Sequence, residues 1–160
     1  MQSAAVLTTT KFRFDEPIRL LLDGKGTDVW SVAPEATVYD AIEAMSQRQI
    51  GALVVIAEDH LKGIVSERDY ARKVILKGRS SHDTLVREIM TTEVYFVTAD
   101  RTIGECMHLM TTRRVRHLPV LEGTRVIGMV SIGDLVNWVI SSHEQTINHL
   151  QNYIAGRYPA

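Results

Sequence analysis

The sequence predicts a mixed α/β (α+β) protein built from two copies of one β-α-β-β-α unit. The first observation is an internal repeat: with an offset of 65 positions, residues 29–71 align with residues 94–136 without a gap, and eleven of the 43 aligned pairs are identical. The second is that both copies carry the same order of helix-like and strand-like hydrophobic patterns. A repeat of this length indicates two units that stack to bury faces neither covers alone, so any function should come in two pseudo-symmetric halves.

Each copy is predicted to begin with a short strand followed by an amphipathic helix. In the first copy the strand spans residues 29–32, and apolar residues at helical spacing predict a helix over residues 37–49. Thr37 is followed three residues later by an acidic residue, which is the pattern of a capping box at a helix start. Thr102 repeats this pattern in the second copy, and the agreement supports both helices.

A β-hairpin is predicted after each of these helices. Residues 52–56 form a continuous apolar run rich in β-branched side chains, as a buried strand requires. A polar turn at residues 58–60 leads to a second strand at residues 61–65. The second copy is expected to form the equivalent strands at residues 118–121 and 126–130.

A helix should follow each hairpin, over residues 68–77 in the first copy and 134–142 in the second. Residues 77–83 have the composition of a linker, and residues 141–153 of the tail show helical spacing. The predicted organisation is an N-terminal segment (residues 1–23), repeat one (24–80), repeat two (81–140), and a C-terminal helix and tail (141–160).

Composition indicates a globular protein of the reducing cytosol. The apolar fraction is 45% and the charged fraction 23%, which is ordinary for such proteins. A net charge of -1 gives no electrostatic case for nucleic acid or an anionic membrane as a partner. The single cysteine, Cys106, cannot form an intrachain disulfide. Residues 1–10 lack a secretory hydrophobic segment, and the apolar run at 52–57 is too short to span a bilayer, so we expect a cytoplasmic location. The weakly Ser/Thr-rich composition of residues 1–10 leaves import into an organelle as the alternative.

No pattern in the chain predicts catalysis or metal binding. No serine or cysteine has a base at a spacing that suggests a nucleophile, and Cys106 is expected to be a packing thiol. The six histidines match no metal motif; His143 and His149, for example, are six residues apart rather than four. A glycine-rich phosphate loop is also lacking. We therefore expect no enzymatic activity, no catalytic residues, no metal and no catalytic cofactor.

A seven-residue motif recurs in the two copies. Gly63-Ile-Val-Ser-Glu-Arg-Asp69 returns as Gly128-Met-Val-Ser-Ile-Gly-Asp134, and Arg113-Arg-Val-Arg-His-Leu-Pro-Val120 precedes the second hairpin. With the β-α-β-β-α order, these motifs resemble the cystathionine-β-synthase (CBS) domain family, here as a tandem pair or Bateman module. The resemblance covers about residues 24–140 and is greatest to small stand-alone CBS-pair proteins of bacteria and plant mitochondria.

The resemblance implies that the two CBS repeats pack about a pseudo-two-fold axis and leave two clefts between them. In the family such clefts bind AMP, ADP, ATP, and sometimes NAD or S-adenosylmethionine, with the serine and aspartate of the motif holding ribose and phosphate. A carboxylate can accept hydrogen bonds from both ribose hydroxyls. A serine at a helix start lies among free N–H groups that suit phosphate.

The same resemblance implies that each nucleotide contacts both repeats. One nucleotide would meet Lys25, Trp30, Ile50, Gly51 and Ala52, with Ser131 and Asp134 at its ribose. The other would meet Met90, Tyr95, Val115, Arg116 and His117, with Ser66 and Asp69 at its ribose. Arg116 and His117 match positions that contact phosphate in family members, and Arg68 could add positive charge.

Structural alternatives exist for the most prominent of these residues. The two serine–aspartate pairs also satisfy the capping-box pattern, which needs no ligand, and one serine can serve both roles. Trp30 and Tyr95 lie at strand positions, where an aromatic side chain usually packs in a core or an interface. Arg68 and Arg116 could instead belong to solvated helix surfaces.

Three functions are compatible with these patterns. The leading prediction is a regulatory sensor of an adenine nucleotide or NAD(H), which acts as an allosteric or signal-transduction module without catalysis. The alternative is a protein-interaction scaffold whose nucleotide clefts are vestigial. An accessory part of an enzyme is disfavoured, since the chain has no room for a catalytic barrel of about 250 residues. The expected partners are an adenine nucleotide, a second copy of the chain in a homodimer, and a protein target in trans, with neither nucleic acid nor membrane.

Overall fold

The computed structural model describes residues 13–26 and 28–155. The predicted features of residues 1–10 and the last five residues of the predicted tail lie outside this range. The elements of the first half are helix α1 (Ile18–Lys25), strand β1 (Ser31–Val32), helix α2 (Val38–Arg48), strands β2 (Ala52–Ala57) and β3 (His60–Ser66), and helix α3 (Glu67–Lys73). Those of the second half are helix α4 (Val86–Ile89), strand β4 (Val97–Thr98), helix α5 (Ile103–Arg113), strands β5 (His117–Glu122) and β6 (Arg125–Ser131), and helix α6 (Ile132–Ile154). Two 3₁₀ turns span Arg13–Asp15 and Ile75–Lys77.

Each repeat folds into a three-stranded mixed sheet. Strands β2 and β3 form an antiparallel hairpin with β1 parallel to β2, and β4, β5 and β6 have the same arrangement. The pairing Val55↔Gly63 in the first sheet matches Val120↔Gly128 in the second, and each hairpin has its bulge directly after that pair. The repeated β-α-β-β-α unit predicted from the sequence is therefore confirmed, and the two copies also share the position of a bulge that was not predicted.

Three predicted boundaries differ from the structure. The first strand is only Ser31–Val32, because only these two residues pair with β2. The helix expected over residues 68–77 ends at Lys73, since Val74 has φ −117° and ψ −68° and is buried in the repeat-one core. In the second repeat, the expected helix and the tail form one continuous helix, α6.

The helix in front of each repeat packs on the other repeat. Helix α1 contributes Ile18 and Leu21 to the core that α5, β5, β6 and α6 form, and Ile18 N donates to Arg101 O at 2.8 Å. Helix α4 contributes Val86 to the core of repeat one, and Val86 N donates to Ala36 O at 2.8 Å. Each core is thus completed by a segment that belongs to the other half of the chain.

Cys106 lies inside the repeat-two core. Its side chain is fully buried, and burial raises the pKa of its thiol to about 11. A thiol in this state is inert at neutral pH, in agreement with the expected packing role. Across residues 13–26 and 28–155, no helix has both the length and the apolar composition needed to cross a bilayer.

Candidate functional site

The two recurrent motifs adopt the same local geometry at the ends of their hairpins. Ser66 Oγ accepts a hydrogen bond from Asp69 N at 3.2 Å, and Asp69 Oδ2 accepts one from Ser66 N at 2.9 Å. The corresponding distances between Ser131 and Asp134 are 3.1 and 2.8 Å. Both pairs are capping boxes, which fix each carboxylate at the start of a helix. Asp69 and Asp134 are partly buried.

One cleft between the repeats is an open cavity of about 390 Å³, which we call cleft A. This volume is in the range of small-molecule sites. Both repeats contribute to it, as the family resemblance implies for a nucleotide site. The predicted site residues that line it are Gly51, Ser66, Arg68, Asp69, Tyr95, Val115, Arg116 and His117.

Cleft A contains both acidic and basic groups. Asp69 Oδ1 forms an ion pair with Lys73 at 3.0 Å, while Oδ2 also accepts from Ser66 Oγ at 3.0 Å. A carboxylate has about four acceptor positions, so it can still accept a hydrogen bond from a ligand hydroxyl. The Arg113 guanidinium lies 5.1 Å from the centre of the Tyr95 ring. Tyr95 is 41% exposed, so a planar group can still reach it.

His117 lies where the two repeats meet. A methyl group added at Gly51 would approach its imidazole to 3.5 Å. Burial lowers the pKa of His117, and Lys25, Arg116 and Arg68 lower it further, while Asp134 acts in the opposite direction. The imidazole is therefore neutral at physiological pH and can serve as a hydrogen-bond donor or acceptor.

We use the name cleft B for the second site that the resemblance assigns to Ser131, Asp134, Lys25 and Trp30. Lys25 Nζ lies 2.6 Å from Asp134 Oδ2 and donates to Met129 O at 3.0 Å. Lys25, at the end of α1, thus holds the carboxylate that the resemblance assigns to ribose. The Trp30 ring carries the Arg48 guanidinium 3.1 Å from its centre. The aspartate and the aromatic ring of cleft B are both occupied by cations of the protein itself.

The remaining predicted residues have different surroundings. Ile50 packs against the repeat-one core, and Ala52 is buried within its sheet. Gly51, expected in the cleft with Trp30, lines cleft A. Met90 packs beside Gly63, where an added Cβ would lie 2.9 Å from its sulfur.

Six residues of cleft A were not among the predicted site residues. They are Ile64, Glu67, Thr91, Glu93, Val94 and Arg114. Arg114 lies in the basic cluster around Arg116. The sequence therefore shows a positive charge at this position but does not indicate that its side chain lines the cleft. Thr91 reaches the cleft through a bridge to Ile64, whose N donates to Thr91 O at 3.0 Å. No local pattern signals that long-range pair.

The arrangement is suited to binding. Cleft A contains a carboxylate that can accept hydrogen bonds from ligand hydroxyls, guanidinium groups that can bind an anion, and an aromatic ring on which a planar base can stack. In the part of the chain that the structure describes, no three His, Cys, Asp or Glu side chains converge as a metal site would require.

Comparisons with known proteins agree with this architecture. The chain is 44% identical over 143 residues to the CBS domain-containing protein CBSX3, mitochondrial, of Arabidopsis thaliana, covering 84% of this chain and 69% of that protein. A solved protein with CBS domains from Burkholderia ambifaria is 48% identical, with a TM-score of 0.76, over 78% of this chain and 94% of that one. A CBS domain pair solved with 5′-methylthioadenosine and S-adenosyl-L-methionine has a TM-score of 0.69 over 76% of this chain and 94% of that one, but at 20% identity it shows the fold alone.

The family model of the CBS domain matches the chain twice, at residues 26–75 and 86–141. These two matches contain both hairpins and both serine–aspartate caps. The chain belongs to the CBS domain family and carries a tandem pair of CBS domains.

Proposed function

We propose that this protein is a regulatory module that binds an adenine nucleotide in cleft A and has no catalytic activity of its own. The observation that carries the proposal is the cavity of about 390 Å³ in which Ser66, Asp69, Tyr95, Arg116 and His117 meet. These five side chains come from both repeats, so a ligand there would contact both and could report on their relative position. Candidate ligands are AMP, ADP, ATP and NAD(H).

Each part of an adenine nucleotide has a chemical counterpart in cleft A. Asp69 is an acceptor for ribose hydroxyls, as acidic residues are in other nucleotide folds. Arg116 provides a charged donor for phosphate, and guanidinium groups match the geometry of phosphate oxygens. Tyr95 offers a ring on which the base can stack.

Regulation requires that the ligand has different affinities for two states of the protein. The crossed packing of α1 and α4 supplies mechanical connections through which a shift between the repeats would reach the N-terminal segment. We propose a homodimer as the working unit and a protein target in trans as the receiver of the signal. Light scattering of the purified protein with and without ligand measures whether it is a homodimer.

Thermal unfolding with added AMP, ADP, ATP, NAD and NADH tests the binding proposal. A ligand at a hundred times its dissociation constant adds about 2.7 kcal/mol, which should raise the melting temperature by roughly 5–10 °C. Asp69→Asn should remove most of that gain, because it changes the charge of the ribose-facing carboxylate.

Asp134→Asn is the matched control, since it alters the same capping box in the other repeat. It should lower the melting temperature by a similar amount without ligand but keep the response of cleft A. Unchanged melting of the wild type with every nucleotide would contradict the proposal. Equal loss of response in the two variants would show that cleft A is not the site.

A further inference from the structure

Helix α6 continues beyond the second CBS domain. The family match ends at residue 141, whereas the helix runs without a break to Ile154, so about 20 Å of it lies outside the match. The corresponding helix of repeat one, α3, ends at Lys73. The extension is therefore an addition to the repeated unit and not part of it.

The first turns of α6 have an exposed apolar face beside the face that packs in the core. Leu135 is fully buried in the core of repeat two. Val136 is 39% exposed and Ile140 is 49% exposed. Residues four apart on a helix lie one above the other, so these two side chains begin an apolar stripe on the solvent side of the domain.

The sequence continues this stripe along the extension with a period of seven residues. Isoleucine recurs at positions 140, 147 and 154, and leucine occupies position 150. In heptad notation the isoleucines are the a positions, and Val136, His143 and Leu150 are the d positions. We call these six positions the α6 stripe. A strict seven-residue repeat is typical of a helix that pairs with another helix, because it keeps the seam facing the partner.

The composition of α6 indicates which partner fits the stripe. Residues 132–154 contain no lysine or arginine, and their acidic residues are Asp134 and Glu144. Helices that lie on anionic membranes carry Lys and Arg on their polar face, so this composition does not suit a membrane surface. The near absence of charge also gives no basis for recognising a partner of opposite charge.

A second copy of α6 meets these requirements. In a parallel pair the positions that flank the seam would place Glu144 opposite Val139 and Gln151 opposite Thr146, so no like charges meet. β-Branched residues at a with leucine at d favour two parallel strands, and a single polar residue in the seam, here at position 143, fixes the register.

The fold of each monomer makes a short seam sufficient. A free helix of this length is marginal in water, because its first turn is costly to form. In this chain the capping box of Ser131 and Asp134 starts the helix, and Leu135 anchors it in the core. Two copies can therefore associate as helices that are already formed.

We propose that the α6 stripe pairs in parallel with the α6 stripe of a second copy of this chain. The inference gives the homodimer of the proposed function a definite interface, and it does not depend on nucleotide binding. Helix α6 begins beside Asp134 of cleft B, and Ile132 N donates to Arg116 O of cleft A at 2.9 Å. A dimer formed in this way would be connected to both sites through one helix.

Analytical ultracentrifugation of the wild type, Ile147→Asp and Asn148→Asp tests the interface. The wild type should form a dimer at micromolar concentration. Ile147→Asp places two carboxylates face to face in the seam and should raise the dissociation constant by at least about tenfold. Asn148→Asp introduces the same residue at an exposed position outside the stripe and should change the constant by less than about twofold. Near-ultraviolet circular dichroism of both variants should match that of the wild type, because these positions lie beyond the family match.

Cross-linking tests the direction of the pair. Cys106 is fully buried, so a cysteine introduced on the exposed side of α6 is the accessible thiol. Ile140→Cys and Ile154→Cys should each form a covalent dimer with a short bis-maleimide, because every a position faces itself in a parallel pair. Asn148→Cys should form none.

The outcomes separate this interface from the proposed function. A dimer that persists in Ile147→Asp would place the interface elsewhere and overturn the inference, while the homodimer and the nucleotide function stand. Cross-linking only in a mixture of Ile140→Cys and Ile154→Cys would mean an antiparallel pair and would overturn the proposed arrangement. A monomeric wild type, including one that sediments with phosphatidylserine vesicles, would overturn both the interface and the homodimer, while nucleotide binding is decided separately by thermal unfolding.

Discussion

At the scale of single residues, His117 receives the electrostatic influence of both clefts. Burial and three cations lower its pKa below the ordinary value of 6.5, and Asp134 opposes them. The unfolded chain therefore binds a proton at His117 more readily than the folded chain. Between the two pKa values the unfolded state holds more protons, so stability increases with pH in that window.

This linkage predicts that the free energy of unfolding decreases as pH falls below about 6.5 and is fully retained above it. His117→Gln should flatten that decrease, because a neutral side chain replaces the titrating one. Urea unfolding of both proteins from about pH 5 to pH 8 measures the difference, and the other histidines cancel in the comparison. Parallel pH profiles for the two proteins would contradict the assignment to His117.

Some contacts of single residues could be predicted from the sequence and others could not. Ser66, Asp69, Arg116 and His117 could be assigned to one cavity through the family resemblance, which rests on the recurrent motif and on the segment 113–120. The resemblance placed Lys25 and Asp134 at the same nucleotide, but their direct ion pair was not predicted, since no local pattern indicates a contact across 109 residues. Side-chain pairs of this kind depend on tertiary geometry.

At the scale of elements, a glycine in each hairpin determines how closely another segment of the chain can pack against the sheet. That segment contains Thr91 at the first hairpin and Leu22 at the second. A Cβ at Gly63 would lie 2.7 Å from Thr91 O, a backbone atom bridged to Ile64, whereas a Cβ at Gly128 would lie 2.8 Å from the end of the Leu22 side chain. Gly63→Ala should therefore destabilise the protein by about 1–3 kcal/mol and Gly128→Ala by less, because a leucine can change rotamer and a backbone bridge cannot. Urea unfolding of this matched pair checks the order, and a larger loss for Gly128→Ala would contradict it.

The end of helix α1 should control access to Asp134. Lys25→Met, which introduces the residue found at the equivalent position 90, removes the ammonium group that now occupies the carboxylate. Because the ion pair is partly exposed, its loss should cost less than about 1 kcal/mol of stability. We expect tighter nucleotide binding at cleft B, seen in calorimetry as a second bound equivalent.

Lys62→Met, another exposed lysine, is the control for that experiment and should leave binding unchanged. Weaker binding at cleft B in Lys25→Met would instead mean that Lys25 contacts the ligand directly, as the family resemblance implies.

Helices α1 and α4 were not predicted from the sequence as helices, and their sizes explain why. Helix α4 has four residues, too few to display a helical period, and α1 has eight and contains Gly24. The hairpins and the helices α2 and α5 could be predicted because they are longer and occur twice. Repetition compensated for the weak signal of each single copy.

At the scale of the whole molecule, the pattern of apolar residues shows that a face is buried but not which repeat covers it. The internal repeat predicts two units with matching cores, and the structure has them. The pattern does not predict that each core includes a helix from the other half of the chain. Tertiary contacts such as the backbone hydrogen bonds between Ile18 and Arg101, and between Val86 and Ala36, establish this connection.

Such crossed packing predicts that the two repeats unfold together. Trp30 lies beside repeat one and Trp138 on α6 of repeat two, and the chain has no other tryptophan. In Trp138→Phe and Trp30→Phe, the remaining indole reports on one repeat each, and the two urea transitions should coincide. Ile18→Ala, at a fully buried position, should lower the free energy of unfolding by about 2–5 kcal/mol and shift both transitions equally.

The shift of the Trp30 signal is the informative part of this experiment. Ile18 belongs to the core of repeat two. If the repeats unfolded independently, Ile18→Ala would therefore lower the urea midpoint reported by Trp138 and leave the midpoint reported by Trp30 unchanged. A common shift would mean that weakening the contact of α1 with repeat two also destabilises repeat one, because the two exchanged helices join the halves in one cooperative unit. A ligand in cleft A would then stabilise both repeats at once, which is the coupling that a regulatory module needs.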